Sequence, residues 1–276
     1  MIGVLTEVGK RVNGRWLTAV LLPGLLLVAV AAVAAALGHT RPFDVDHLAA
    51  TTGRAGRDLA ADPGRLVVTL AAAFVAAGLA GTAAPGLGRL AQRWWLRERF
   101  LTGDLITRTR WSRRSRALAA ARRADAPVVA AYLPQRPTWL GDRARLVEVR
   151  ARAQYHLSAA LVWPRLWLLL DEDSRRPITD VRTRYGEAVA LVGWAVPYLL
   201  LGLRWWPALL VGAGMLLTAW RRLRDTLAEL AELIESALDL RLRDLAEALG
   251  QPLAGAEPSP AEGRALDDRL GKAGPV

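Results

Sequence analysis

Residues 66–88 read LVVTLAAAFVAAGLAGTAAPGLG, 23 positions without a charge. At the α-helical rise this run is about 34 Å long, enough to cross a hydrocarbon core about 30 Å thick. Ala73, Ala77 and Gly81 recur every four positions on one face. Small side chains at that spacing let a second helix approach closely, although an Ala-rich and Gly-rich chain produces the pattern anyway. Pro85 and Gly86 are expected to loosen the last turn.

Working outward, residues 16–37 (WLTAVLLPGLLLVAVAAVAAAL) form another uncharged run, preceded by Lys10, Arg11 and Arg15. It is too long for the apolar core of a secretory signal peptide, so a retained span is expected. Residues 188–220 are apolar except for Arg204-Trp205-Trp206-Pro207. That interruption reads as a turn between two antiparallel arms. Each arm alone is about 24 Å at the helical rise. The bilayer must therefore thin there, the helices must extend past Glu187 and Trp220, or the hairpin must be re-entrant; two full spans are favoured. Trp16, Trp94, Trp95, Trp205, Trp206 and Trp220 all fall at proposed span ends, where indole rings gain from the headgroup layer.

Composition agrees. Hydrophobic residues make up 53% of the 276-residue chain, above the need of an ordinary soluble domain. There is no cysteine, which removes disulfides, thiolate metal sites and cysteine nucleophiles. Basic residues are arginine except for Lys10 and Lys272, a usage expected of a GC-rich bacterial genome.

Charge sets direction. Residues 38–65 balance Arg41, Arg54, Arg57 and Arg65 against Asp44, Asp46, Asp58 and Asp62, whereas residues 91–185 hold twenty arginines against nine acids. The arginine-rich segment is expected in the cytoplasm. The predicted order is a cytoplasmic N-terminus (1–15), a span (16–37), an extracytoplasmic loop (38–65), a second span (66–88) and an Arg-rich helical cytoplasmic region (89–187). A third span (188–203), a turn (204–206), a fourth span (207–220), a cytoplasmic amphipathic helix (221–250) and a disordered tail (251–276) follow. The fold class is thus all-α: a bacterial inner-membrane protein with four transmembrane helices in two hairpins, a helical insert and both termini cytoplasmic.

In the insert, Arg93, Arg97, Arg99, Arg113, Arg114 and Arg116 are candidate contacts for anionic headgroups or a partner, or would line a pore mouth; topology control alone also explains such clusters. Nucleic-acid binding is not expected, since the +11 charge comes with no recognition motif. A break is expected at Gly103 and an extended connector across residues 127–137. Thr138 or Asp142 then caps a helix running to Trp163-Pro164, where proline should kink or end it. The apolar run 165–170 needs cover from the membrane interface or from the undersides of the spans.

PTWLGD (137–142), an Arg-rich helix, Tyr155 and WPRLWLLL (163–170) together resemble a group of actinobacterial-like integral membrane proteins of unassigned activity, over roughly residues 132–250. Those proteins carry a glycine after the tyrosine, where this chain has His156. The resemblance implies a closing membrane hairpin and no mechanism.

After Trp220, Leu227, Leu230, Ile234, Leu238, Leu242 and Leu245 recur at a mean near 3.6 residues. This stripe would bury against the chain's own helices or a neighbouring subunit; self-association is favoured. Phe43-Asp44-Val45-Asp46-His47 reads as a solvated loop or a helix cap rather than a metal site, and Asp171-Glu172-Asp173 as a helix terminus rather than a catalytic pair. No phosphate loop, nucleophile elbow or zinc-protease helix occurs, and no acid or histidine lies within the four runs, so neither an enzyme, a cofactor nor a proton-coupled carrier is expected.

Two readings remain: a non-enzymatic membrane scaffold or adaptor presenting a basic helical platform to a cytoplasmic protein, and an oligomeric channel with an arginine-lined mouth. The channel would join subunits through the small-residue face and the C-terminal helices. Its order of elements resembles the layout of bestrophin-like anion channels, by analogy only.

Overall fold

The computed structural model describes residues 21–96, 135–136, 138–255 and 258–271, with the single positions 109, 111, 112 and 116. Eight α-helices are the regular elements among them: α1 (Leu22–Leu37), α2 (Val45–Ala61), α3 (Pro63–Leu96), α4 (Trp139–Tyr155), α5 (Ala159–Leu169), α6 (Glu172–Gly202), α7 (Trp206–Ala248) and α8 (Pro260–Gly271). The expected cytoplasmic N-terminus, the Gly103 break and most of the extended connector lie outside the described residues.

The chain divides into two compact units. The first comprises residues 1–92 and 187–221 and holds α1, α2, most of α3 and the α6–α7 hairpin. Two of its helices, α3 and α6, are long and apolar enough to cross a membrane. In α3 only 11% of the most apolar window is buried. Leu66, Val67, Val68, Leu70, Phe74, Val75 and Leu79 all stand exposed, whereas the core helix of a soluble protein would cover such side chains.

What α3 does bury is its small-residue face: Ala77, Gly81, Ala84 and Gly88. A methyl group on Gly24 of α1 would lie 2.1 Å from the Ala77 carbonyl oxygen, and one on Gly193 of α6 would lie 1.8 Å from that of Ala84. One on Gly88 would meet the Val189 oxygen at 2.2 Å. The sequence stripe is therefore a packing face satisfied inside the chain, and it runs further along α3 than Gly81.

Several boundaries differ from those expected. Pro85 lies inside α3, which continues to Leu96. The segment 38–65 is mostly helix α2 rather than loop, and only Asp62 separates α2 from α3. Asp62 serves both: its N–H donates to Leu59 O, and its carboxylate accepts from Arg65 N at 3.1 Å. Asp44 caps the other end of α2 by accepting from His47 N at 2.8 Å. The Arg204 turn forms as expected, but its arms are the ends of helices extending past Glu187 and Trp220. Gly202 faces Leu209, and Gly212 faces Leu199, within this hairpin. Trp205 Nε1 donates to Pro42 O at 3.0 Å and the Trp206 ring meets Phe43 edge-on, so these indoles fasten the segment after α1 to the turn.

The close approaches give a direct expectation. Gly24→Ala and Gly193→Ala should each cost about 1–3 kcal/mol, as overpacking does, and lower the melting temperature in detergent by several degrees. Gly78→Ala, where an added methyl meets nothing within 4 Å, should leave it unchanged or slightly higher.

Candidate functional site

The second unit comprises residues 93–186 and 222–276. Its core gathers Val147, Ala151, Tyr155, Val162, Leu166, Leu238, Leu242, Leu245, Leu266 and Leu270, from α4, α5, α7 and α8. Thr138 starts α4, accepting from Gly141 N and donating to Trp95 O at 2.6 Å. Asp142 is buried and organises the approach to α4: its Oδ1 accepts from Gln135 N at 2.9 Å and Arg136 N at 2.8 Å. Thr138, not Asp142, is thus the cap.

The arginines of α4 point two ways at a seven-residue spacing, two helical turns. Arg143 and Arg150 both pair with Glu235 of α7, Arg143 at 3.3 Å. Tyr155 donates its hydroxyl proton to Asp239 Oδ1 at 2.6 Å, and Arg224 lies 4.7 Å from the centre of the Trp139 ring. These partly buried contacts fix the register of α4 against α7. Arg145 and Arg152 lie instead beside a groove between α4, α5 and α7.

The groove is an open depression of about 610 Å³. Val147, Ala159, Trp163, Leu230, Ala231 and Ile234 line its apolar part, and Arg136, Arg145 and Arg152 flank it with Glu148. Glu148 accepts from Arg152 Nε at 2.6 Å and from Ala160 N at 3.2 Å, so its charge is directed inward. Burial lowers the Arg145 guanidinium from its ordinary value while Asp142 raises it and Arg136 lowers it again; an arginine so placed still carries its charge at neutral pH. Three cations thus stand around an apolar floor, Arg152 paired with Glu148 and Arg145 with its Nε 3.8 Å from the Asp142 carboxylate.

The turn between α4 and α5 shapes the groove's end. His156 takes a left-handed conformation (φ 56°, ψ 30°), and its N–H donates to Arg152 O. The helix that was expected to continue to Trp163-Pro164 stops here instead, and Pro164 lies within α5. Of the run 165–170, Leu166 and Leu170 are buried within the second unit, whereas Leu168 is 75% exposed and Leu169 is exposed beside it. Asp171 accepts from Ser174 N at 2.7 Å and so terminates a helix as expected.

The C-terminal tail is corrected as well. Residues 260–271 form α8, with Gly263, Leu266 and Leu270 buried. Ser158 N donates to Asp267 at 2.7 Å, Arg165 donates to Leu270 O at 3.1 Å, and Gly263 lies directly against the Tyr155 carbonyl. The sequence signal was present in Ser259-Pro260-Ala261-Glu262, a capping box with proline at the first helical position. Glu262 accepts from Ser259 N at 2.8 Å, and Glu262 N is 3.3 Å from Ser259 Oγ.

The proposed oligomer stripe has divided loyalties. Leu227, Leu238, Leu242 and Leu245 are buried inside the chain, the first of the two covers expected for them, while Leu230 and Ile234 line the groove. Among the candidate arginines, Arg93 is exposed in the last turn of α3, and Arg116 is exposed with its Nε donating to Ser112 O. Arg97, Arg99, Arg113 and Arg114 lie outside the described residues. The groove arginines escaped sequence reasoning because helical phase, not clustering, sets them apart. Among the described residues no group of three or more His, Cys, Asp or Glu could hold a metal ion. No protein-family model, curated protein or solved structure matches this chain.

The Glu262 box makes the docking of α8 acid-sensitive. Hydrogen bonds from Ala254 N and from Ser259 hold its carboxyl at about 2, below the ordinary 4.5. Stability from a depressed acid is complete above the unfolded value and is lost as pH falls through the folded one. Amide protection across residues 260–271 should therefore be higher in the native chain than in Glu262→Gln at pH 6. The difference should shrink below about pH 4.5 and be gone near pH 2 by hydrogen exchange.

Proposed function

We propose that this chain is a membrane adaptor: its apolar helices cross the bacterial inner membrane four times, and its second unit offers the α4–α5–α7 groove to a cytoplasmic protein. The groove carries this reading, because Trp163, Leu230 and Ile234 stay partly exposed among three arginines and beside no reacting group. Apolar area left uncovered in this way is characteristic of a binding surface.

Other observations point the same way. Twenty arginines between residues 91 and 185 favour a cytoplasmic second unit and cytoplasmic termini. A ring-forming channel would need free faces to join its subunits, yet the small-residue face and most of the leucine stripe are engaged within the chain. Anionic headgroups are a second class of partner, suited to exposed Arg93 beside the apolar part of α3. Cofactors and nucleic acid have no part in this reading.

Two measurements test it. In the cysteine-free chain, an impermeant thiol reagent should label Arg54→Cys in intact cells and Arg152→Cys only after permeabilisation. A photo-crosslinker replacing exposed Ala160 at the groove should capture a discrete protein in cells. Ile234→Glu should reduce that product about tenfold or more, the scale on which truncating a central contact acts, while leaving helicity and elution volume unchanged. Equal crosslinking in the Ile234→Glu chain, or unitary currents from purified protein in planar bilayers, would displace the adaptor reading.

A further inference from the structure

Helix α2 has no buried residue, although it packs beside α1. At 100° per residue its side chains separate cleanly. Val45, Leu48, Ala49, Thr52, Ala55, Gly56, Leu59 and Ala60 fall on one half of the helix, whereas Asp46, His47, Arg54, Arg57 and Asp58 fall on the other. The one polar side chain on the apolar half is internally satisfied: Thr52 Oγ1 donates to Leu48 O at 2.7 Å. Val45 is 72% exposed and Phe43, just before the helix, 67%. Leu48 and Leu59 are partly covered, but Val45, Ala49, Thr52, Ala55, Gly56 and Ala60 stand exposed, so in water most of this face would meet solvent.

The neighbouring chain says what covers it. Asp62 alone joins α2 to α3, whose Val67 and Val68 begin the exposed apolar surface only a turn further on. We infer that α2 lies flat in the headgroup layer of the outer leaflet, its Val45, Leu48 and Leu59 face in the acyl boundary and its Arg54 and Arg57 face in water. This rests on the reading that α3 crosses the bilayer.

The attraction is apolar rather than ionic. The polar half balances Arg54 and Arg57 against Asp46 and Asp58, so it gains little from anionic lipid. Basic interfacial helices, by contrast, depend on lipid charge. Insertion of α2 therefore does not depend on lipid charge or salt, and α2 sets how far α3 can slide along the membrane normal, since a one-residue joint ties its start to the surface.

The cysteine-free chain allows the test on the whole protein. Spin labels are placed by Leu48→Cys, Thr52→Cys and Leu59→Cys on one face, by Arg54→Cys and Arg57→Cys on the other, and by Val75→Cys in α3, each in nanodiscs. Collision with oxygen and with a water-soluble nickel chelate reports depth. The first three labels should be shielded from nickel and open to oxygen, at depths of about 5–10 Å, while Arg54 and Arg57 labels meet nickel freely. Phosphatidylcholine discs and discs containing phosphatidylglycerol should give the same depths, and Leu48→Glu with Leu59→Glu should raise nickel contact at Thr52→Cys several-fold without changing Val75→Cys. Nickel access on both faces of α2 with Val75→Cys still deep would overturn the inference, and so would apolar-face labels shielded from both reagents, which means a protein cover such as a second copy. Nickel access at Val75→Cys would instead overturn the membrane reading itself.

Discussion

Where Gly193 has no side chain, the carbonyl of Ala84 takes the space, and this sets how closely the backbones of α3 and α6 can lie. The same geometry recurs between Gly24 and Ala77, on the same face of α3. Such contacts matter most in lipid, where burying leucine against leucine gains little because the tails are equally apolar, and dense backbone contact supplies the attraction. The face is used up by this packing. What α3 leaves outward is its larger apolar side chains, which suit acyl chains.

The second unit is held by other means. Its core is leucine, valine and tyrosine from four helices, and its register is set by Arg143, Arg150 and Tyr155 against Glu235 and Asp239. A partly buried carboxylate serving two guanidiniums specifies position more than it adds stability, because each charge must be taken from water. The lock at the α4–α5 corner comes from α8, which satisfies the N–H of Ser158 and the guanidinium of Arg165. Last in sequence, α8 joins elements a hundred residues earlier.

Legibility follows the range of the interaction. The long apolar helices α3 and α6, the Arg204 turn and the helix ends at Asp44, Thr138 and Asp171 were readable because composition and a few neighbouring residues decide them. Helix α8 was missed because Gly, Pro, Ala and charges around residue 260 suggest disorder, and only the Ser259–Glu262 box, four residues long, speaks against it. The break at His156 was missed for a related reason: Tyr155-His156-Leu157 carries no glycine, so the left-handed turn that ends α4 is adopted by a residue that only tertiary packing would hold there. The leucine stripe was legible as a packing face, with the chain's own helices and a neighbouring subunit both open as its cover, since periodicity reports that a face is buried and not by what.

The groove shows the limit of periodicity most directly. Arg143 and Arg145 are two residues apart on one helix, yet the first pairs with Glu235 of α7 and the second, beside Asp142 of its own helix, borders an apolar opening. Two positions on a helix differ by about 200°, so adjacent arginines in sequence can do opposite work: one fixes the platform, the other faces whatever arrives. A run of arginines then measures topology well and recognition poorly. On the adaptor reading, selectivity would come from the three arginines beside Leu230 and Ile234, because a partner would have to cover the apolar floor and supply acid at its edge together. Acid alone leaves apolar surface in water, and an apolar segment alone would strip more hydration from Arg145, already partly desolvated and balanced by Asp142 at 3.8 Å.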